Sequence, residues 1–114
     1  MKQTIMTIAT TSLAAMLALL PATIMAAGNS QAGQEKAKVC EACHGTDGKS
    51  VEPSYPNLAG QHESYLIKAL SDYRSGRRSN AIMASFAANL SNQDIEDLAA
   101  WYSIQDGLED LSIK

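Results

Sequence analysis

Cysteine is scarce in this chain: 114 residues contain two, Cys40 and Cys43, and two histidines, His44 and His62. Beyond the cysteine pair and the adjacent His44, only His62 remains as a nitrogen donor, too few for the second ligand pair of a structural zinc site. An excess of basic residues is also lacking. Nine Lys and Arg face twelve Asp and Glu, for a net charge of −3, with no basic tail, which argues against a nucleic-acid partner. No stretch alternates apolar and polar residues as a half-buried strand does, and there is no internal repeat or low-complexity tract. The expected fold class is therefore all-α.

The one long apolar run comes at the start. Met1-Lys2 gives a short positive beginning, an apolar segment follows from Ile5 to Leu20, Pro21 breaks it, and Ala26-Ala27-Gly28 supplies small residues. That order is a secretory signal peptide over residues 1–27, with cleavage near Ala26 or Ala27, leaving a domain over residues 28–114. The competing reading is an uncleaved membrane anchor, but the densest part, Leu13 to Leu20, is short for a spanning helix. Export points to the periplasm, without stable membrane insertion after cleavage. The 87 residues left after a 27-residue leader make one small domain. Such a chain buries little apolar surface and usually needs a staple or a cofactor.

What is present is Cys40-Glu41-Ala42-Cys43-His44. A bare C-x-x-C fits a redox disulfide, half a zinc site or a haem, and the histidine selects the last. Two thiols on about one helical turn have the spacing to add across the two vinyl groups of one porphyrin. The histidine that follows is carried under the iron as its proximal ligand. The cofactor implied is one haem c per chain, covalent through Cys40 and Cys43.

Around this motif the pattern predicts helices. Residues 31–41 hold good helix formers and no proline, and are expected to run unbroken into the motif. Residues 45–60 are turn chemistry without periodicity, a loop long enough to wrap something. In residues 62–75, Leu66, Ala69, Leu70 and Tyr73 form one apolar face, and Gly76 sits where a left-handed C′ residue is wanted. A short apolar patch follows at residues 81–86. Ser91-Asn92-Gln93-Asp94 reads as a capping box opening a last helix, with Ile95, Leu98, Ala99 and Tyr102 as its stripe and Gly107 as its end. The acids from Asp94 to Asp110 are expected on a solvated face.

The iron's sixth ligand decides the chemistry. Met1, Met6, Met16 and Met25 all lie in the leader, so Met83 is the one methionine of the mature domain. It falls 39 residues after His44, in the short patch where a distal segment can return over the ring. The competing reading of Met83 is ordinary core filling. His62, 18 residues past His44, is the competing ligand, and its position at a helix start suits a capping or surface role. Metal ligation is thus expected from His44 and Met83.

Taken together, Cys40-Glu41-Ala42-Cys43-His44-Gly45, Tyr55-Pro56-Asn57-Leu58-Ala59-Gly60-Gln61, Tyr65-Leu66, Tyr73-Arg74-Ser75-Gly76-Arg77, Met83 and Leu90-Ser91 through Asp97-Leu98-Ala99-Ala100-Trp101-Tyr102 resemble the small class I c-type cytochromes. The resemblance is to the single-haem bacterial type and to one domain of the tandem dihaem cytochromes c, over residues 31–105. It implies the class I cytochrome c fold, with N- and C-terminal helices crossing at Gly33 or Ala37 against Trp101 or Tyr102. It further implies that the Pro56 carbonyl accepts the Nδ1 proton of His44 and that Leu58 packs on the haem face. Many relatives carry proline after the ligating methionine. Ala84 stands here instead, which implies a more helical distal segment.

Two protein ligands on the iron leave no position for a substrate, so the expectation is a one-electron carrier, not an enzyme, with no small-molecule substrate. Its partners would be redox proteins that donate and accept electrons by transient docking. The alternative is a gas-binding or sensing haem domain in which Met83 dissociates. A peroxidase-like enzyme lacks a distal acid–base pair. Arg74, Arg77 and Arg78 are open between pairing haem propionates, docking an acidic partner and solubilising a helix end.

Overall fold

In the computed structural model, residues 27–107 are described. The expected signal peptide lies outside them except for Ala27. Five helices occur in this part, α1 (Ser30–Lys36), α2 (Glu41–His44), α3 (Glu63–Ser75), α4 (Ala81–Ala87) and α5 (Asn92–Ser103), with a 3₁₀ turn at Ala37–Val39 between the first two. No strand is present among the described residues, and the all-α expectation holds.

The terminal helices cross because glycine lets them. Asn29 caps α1 by accepting from the Ala32 amide at 2.9 Å. One turn later Gly33 is buried against α5, where a Cβ would stand 1.9 Å from the Asp97 carbonyl oxygen and 2.8 Å from the Trp101 Cβ. Only a residue without a side chain allows that approach. The adjoining Asp97, 3% exposed, accepts from the Asn29 amide at 2.8 Å, Lys36 Nζ at 2.5 Å and Gln93 Nε2 at 2.9 Å. A buried carboxylate is tolerable when so paired. The acidic run is therefore not merely a solvated face: Asp97 joins the ends of the domain.

Helix α5 opens on the full capping box. Ser91 Oγ accepts from the Asp94 amide at 3.0 Å, and Asp94 Oδ2 accepts from the Ser91 amide at 2.9 Å. Lys36 Nζ is also 2.8 Å from Asp94. That ammonium, with the Ser91 hydrogen bonds, holds the Asp94 carboxyl down to about 2. The stripe Ile95, Leu98, Ala99 and Tyr102 is buried. The helix stops at Ser103, not at Gly107, with Ile104 as its C-cap.

One other expectation needs correction. Residues 31–41 are not one helix. Three residues at 3.0 per turn rotate the following turn by about 60° relative to an unbroken α-helix. Ala37 can thus stay buried in the core cluster with Leu98 and Ala99 while the turn that follows is re-aimed. His62 occupies the N-cap position of α3, and of the capping or surface role expected for it the surface one holds: its side chain is exposed and makes no capping hydrogen bond. Gly76 ends α3 at φ 77°, ψ 5° as the left-handed residue. The arginines nearby separate by partner. Arg74 donates to the Leu90 carbonyl and to Asn92 Oδ1, both at 2.7 Å, tying α3 to the start of α5. Arg77 Nε donates to Asp72 at 2.8 Å.

Candidate functional site

The domain's own core is made mainly of small residues. Its buried apolar members are five alanines plus Leu66, Ile95, Leu98 and Tyr102. The larger apolar side chains of α3 and α4 instead meet a cleft. One lobe, about 970 Å³ including its open mouth, is lined by Leu58, Leu70, Tyr73, Met83 and Phe86 together with Cys40 and His44. A second lobe, about 840 Å³ on the same basis, shares Cys40, His44, Pro56, Tyr73, Met83 and Phe86 with it and adds Cys43. An apolar cleft with a few polar groups suits an organic cofactor. The apolar stripe expected on α3 therefore lines the cleft as well as packing on the core.

Each side chain is brought there by local structure. Cys40 and Cys43 flank one turn, and the His44 amide donates to the Cys40 carbonyl at 2.9 Å. Gly45, at φ 78°, then turns the chain away. His44 is 6% exposed, and its Nδ1 lies 2.8 Å from the Pro56 carbonyl oxygen. A carbonyl can only accept, so Nδ1 carries a proton, and in the neutral imidazole this leaves the Nε2 lone pair free. A metal-ligating histidine needs that state. The loop supplying Pro56 is seated by the Gly48 carbonyl, which accepts from the Leu58 and Ala59 amides at 2.7 and 3.1 Å. Its far end is fixed to α5, where the Gly60 amide donates to the Tyr102 carbonyl at 2.9 Å.

Met83 enters from the opposite side of the sequence, on α4. Asn80 caps that helix, its Oδ1 accepting from the Ile82 and Met83 amides at 3.1 and 3.0 Å. Sequence reasoning passed over Asn80, although an asparagine directly before an apolar segment is an N-cap signal. The patch is fully helical, as Ala84 in place of proline implies. Thus Cys40, His44, Pro56, Leu58 and Met83 line the first lobe and Cys43 the second, whereas His62 lines neither. Burial raises the Cys40 thiol above its ordinary value, an effect the nearby Tyr102 hydroxyl opposes. Burial likewise raises Tyr102, whose hydroxyl sits near Cys40 without a hydrogen bond of good geometry among the described residues. The donor set fits a covalent haem: two thiols, an imidazole with Nε2 free and one thioether around one cleft. Among the described residues no three His, Cys, Asp or Glu side chains converge as a separate metal site.

Residues 30–103 match the family model described as cytochrome c. The chain belongs to the cytochrome c family. It carries haem c, one group per chain, attached at the Cys40 and Cys43 pair. It is 50% identical over 80 residues to cytochrome c4 of Pseudomonas aeruginosa, an alignment covering 70% of this chain and 40% of that one. It is 47% identical over 83 residues to cytochrome c-554(548) of Halomonas halodenitrificans, covering 70% of this chain and all of that protein. The crystal structure of reduced cytochrome c4 from Pseudomonas stutzeri superposes with a TM-score of 0.68 at 45% identity, covering 72% of this chain and 48% of that chain. The chain thus spans about half or less of the length of the cytochrome c4 chains it matches and the whole length of the Halomonas relative. The resemblance read from the sequence is to this family.

Proposed function

We propose that the protein is a periplasmic one-electron carrier whose haem iron is ligated by His44 and Met83, with Pro56 steadying His44 and Leu58 packing on the ring. The reading rests most on one observation: His44 Nδ1 is engaged by the Pro56 carbonyl at 2.8 Å, in the cleft that Met83 also lines. When bound, the haem supplies a reversible one-electron couple. The chain's residues do the rest. Pro56 orients the imidazole and raises its basicity. Asn80 anchors the backbone of Met83, which favours a thioether that stays in place and works against a gas-binding domain with a dissociable methionine. Two fixed protein ligands give no opening for a substrate, so the protein acts as a carrier and not as an enzyme. Residues 1–27 would direct export and be removed near Ala26 or Ala27. No helix among the described residues is long and apolar enough to cross a membrane.

The exit for electrons lies at the second lobe. Val39 (64% exposed), Ile82 (60%) and Phe86 (48%) rim it beside Ala42 and Cys43. A small uncharged rim suits the brief contacts of redox proteins. Met83→Ala tests the ligation. The oxidised protein should lose its thioether-to-iron absorption band and its reduction potential should fall, because a thioether favours ferrous iron. A variant with both unchanged refutes Met83 as ligand, and carbon monoxide binding to the reduced wild type at neutral pH would favour the gas-binding alternative.

A further inference from the structure

Two side chains on α5 carry a buried polar atom that finds no hydrogen-bond partner among the described residues, Trp101 at Nε1 and Tyr102 at its hydroxyl. They are neighbours in sequence with different surroundings. Trp101 packs beside Gly33 at the helix crossing and lines neither lobe of the cleft. Tyr102 lines the first lobe together with Cys40 and His44.

The Tyr102 side chain is fixed where it stands. The residue is 3% exposed and belongs to the core cluster of Ala37, Leu66, Leu98 and Ala99, against which Cys40 also packs. The loop closes on the ring from another side, since a Cβ on Gly48 would stand 2.8 Å from Tyr102 Cδ1. The backbone is held as well, the Tyr102 carbonyl accepting from the Gly60 amide at 2.9 Å. A buried hydroxyl without a partner loses its bonds to water and regains none, and protein interiors keep few such atoms. The polar atom within its surroundings is Cys40 Sγ.

Haem attachment changes what that sulfur can do. A free thiol is both a weak donor and a weak acceptor. Addition across a vinyl group sends the thiol hydrogen to carbon, so the sulfur keeps its lone pairs and has no donor. A phenol beside it is then left with one role, to donate. Burial raises the Tyr102 hydroxyl above its ordinary value, so the proton it would donate is in place at neutral pH.

We propose that Tyr102 donates a hydrogen bond to the thioether sulfur of Cys40 and by that bond tunes the haem. The bond rests on haem attachment at Cys40, and its effect on the potential rests on the carrier reading above. The positive end of the O–H dipole points at the edge of the porphyrin inside a weakly screening interior. Ferric iron carries the larger charge, so the dipole disfavours it and holds the potential up. The two thioethers are thereby made unequal, since Cys43 lines the second lobe and Tyr102 does not.

The test is resonance Raman spectroscopy of the C–S stretching bands, with a redox titration, on purified holoprotein of wild type, Y102F and W101F. Spectra are compared in H2O and after refolding from denaturant in D2O, which exchanges the buried hydroxyl. Wild type should show one C–S band that shifts in D2O. Y102F keeps the ring and loses the donor, so that band should move and its D2O shift should vanish. The equilibrium of Y102F should move toward the ferric form by about twofold, the weak end of what one neutral hydrogen bond contributes. W101F removes the other unpartnered donor of α5, away from the cleft, so its bands and potential should match wild type. The thioether-to-iron absorption band of wild type reports separately on the His44/Met83 reading, so the two can fail independently. If Y102F does not retain haem, the D2O comparison of wild type decides. The proposal is overturned by a wild type with no D2O-sensitive C–S band, by a D2O shift or a potential that is unchanged in Y102F, or by equal changes in W101F.

Discussion

The two halves of this domain are closed in different ways. Where α1 crosses α5, the protein's own atoms meet: Gly33 against the Asp97 backbone, Ala37 fully buried, and Asp97 bonded to three partners. Where α3 and α4 face the loop, Leu70, Tyr73, Met83 and Phe86 stay only partly covered around the cleft. One half is packed by small residues at close range, the other by large residues around a cofactor. The contrast teaches why a domain this small is feasible. Its own core would bury too little, and the porphyrin is the missing part of that core.

Removing the cofactor should break the comparison hardest. The double variant Cys40→Ser, Cys43→Ser cannot hold haem covalently, and its circular dichroism should show no cooperative thermal transition. A melt like that of wild type would mean that the cleft half is self-sufficient. The next effect comes from the other half. Gly33→Ala drives a Cβ to 1.9 Å from the Asp97 carbonyl oxygen, and overpacking of this kind should cost about 3 kcal/mol. In thermal unfolding of the holoprotein that is a fall of about 12–24 °C. A fall under a few degrees would show that the crossing can slide.

A smaller effect sharpens the comparison through pH. Asp94 is held down to about 2, chiefly by Lys36 and then Ser91. Asp97 is lowered first by the Asn29 amide and then by Lys36. Depressed carboxyls contribute stability that is present above their unfolded value of about 3.9 and lost as pH falls through the folded value. Acid should therefore loosen the crossing between about pH 4 and 2. Asp97→Asn should cost about 1.5 kcal/mol at neutral pH, the worth of a charge-assisted bond, and flatten the acid limb of the stability curve. An unchanged acid limb would remove the crossing as its source.

How much of this was legible from the sequence depends on the range of each interaction. The haem motif could be read because one porphyrin imposes a fixed spacing on Cys40, Cys43 and His44. The stripes of α3 and α5 could be read because helical period is local, and the Ser91 capping box because its partners are three residues apart. The roles of the acids and arginines were not legible. Asp97 is held by Asn29, 68 residues away, and Arg74 by Leu90, 16 residues away. No local pattern records such pairings. The 3₁₀ turn escaped for a related reason, since residues 37–39 have ordinary helix chemistry and their tighter winding accompanies packing elsewhere. The Pro56 carbonyl came through family resemblance, because a backbone acceptor leaves no mark in residue type.

The cover over Cys40 has a consequence for how the holoprotein is made. That thiol is partly buried and lies near Tyr102, a residue of the last helix in the described part of the chain. A thiol raised by burial is a poorer nucleophile and a less accessible one. Cys40 emerges from synthesis or translocation some 60 residues ahead of Tyr102, and during that interval nothing from α5 covers it. Haem attachment thus has its clearest access to a chain in which α5 has not yet docked, and that docking then covers the site.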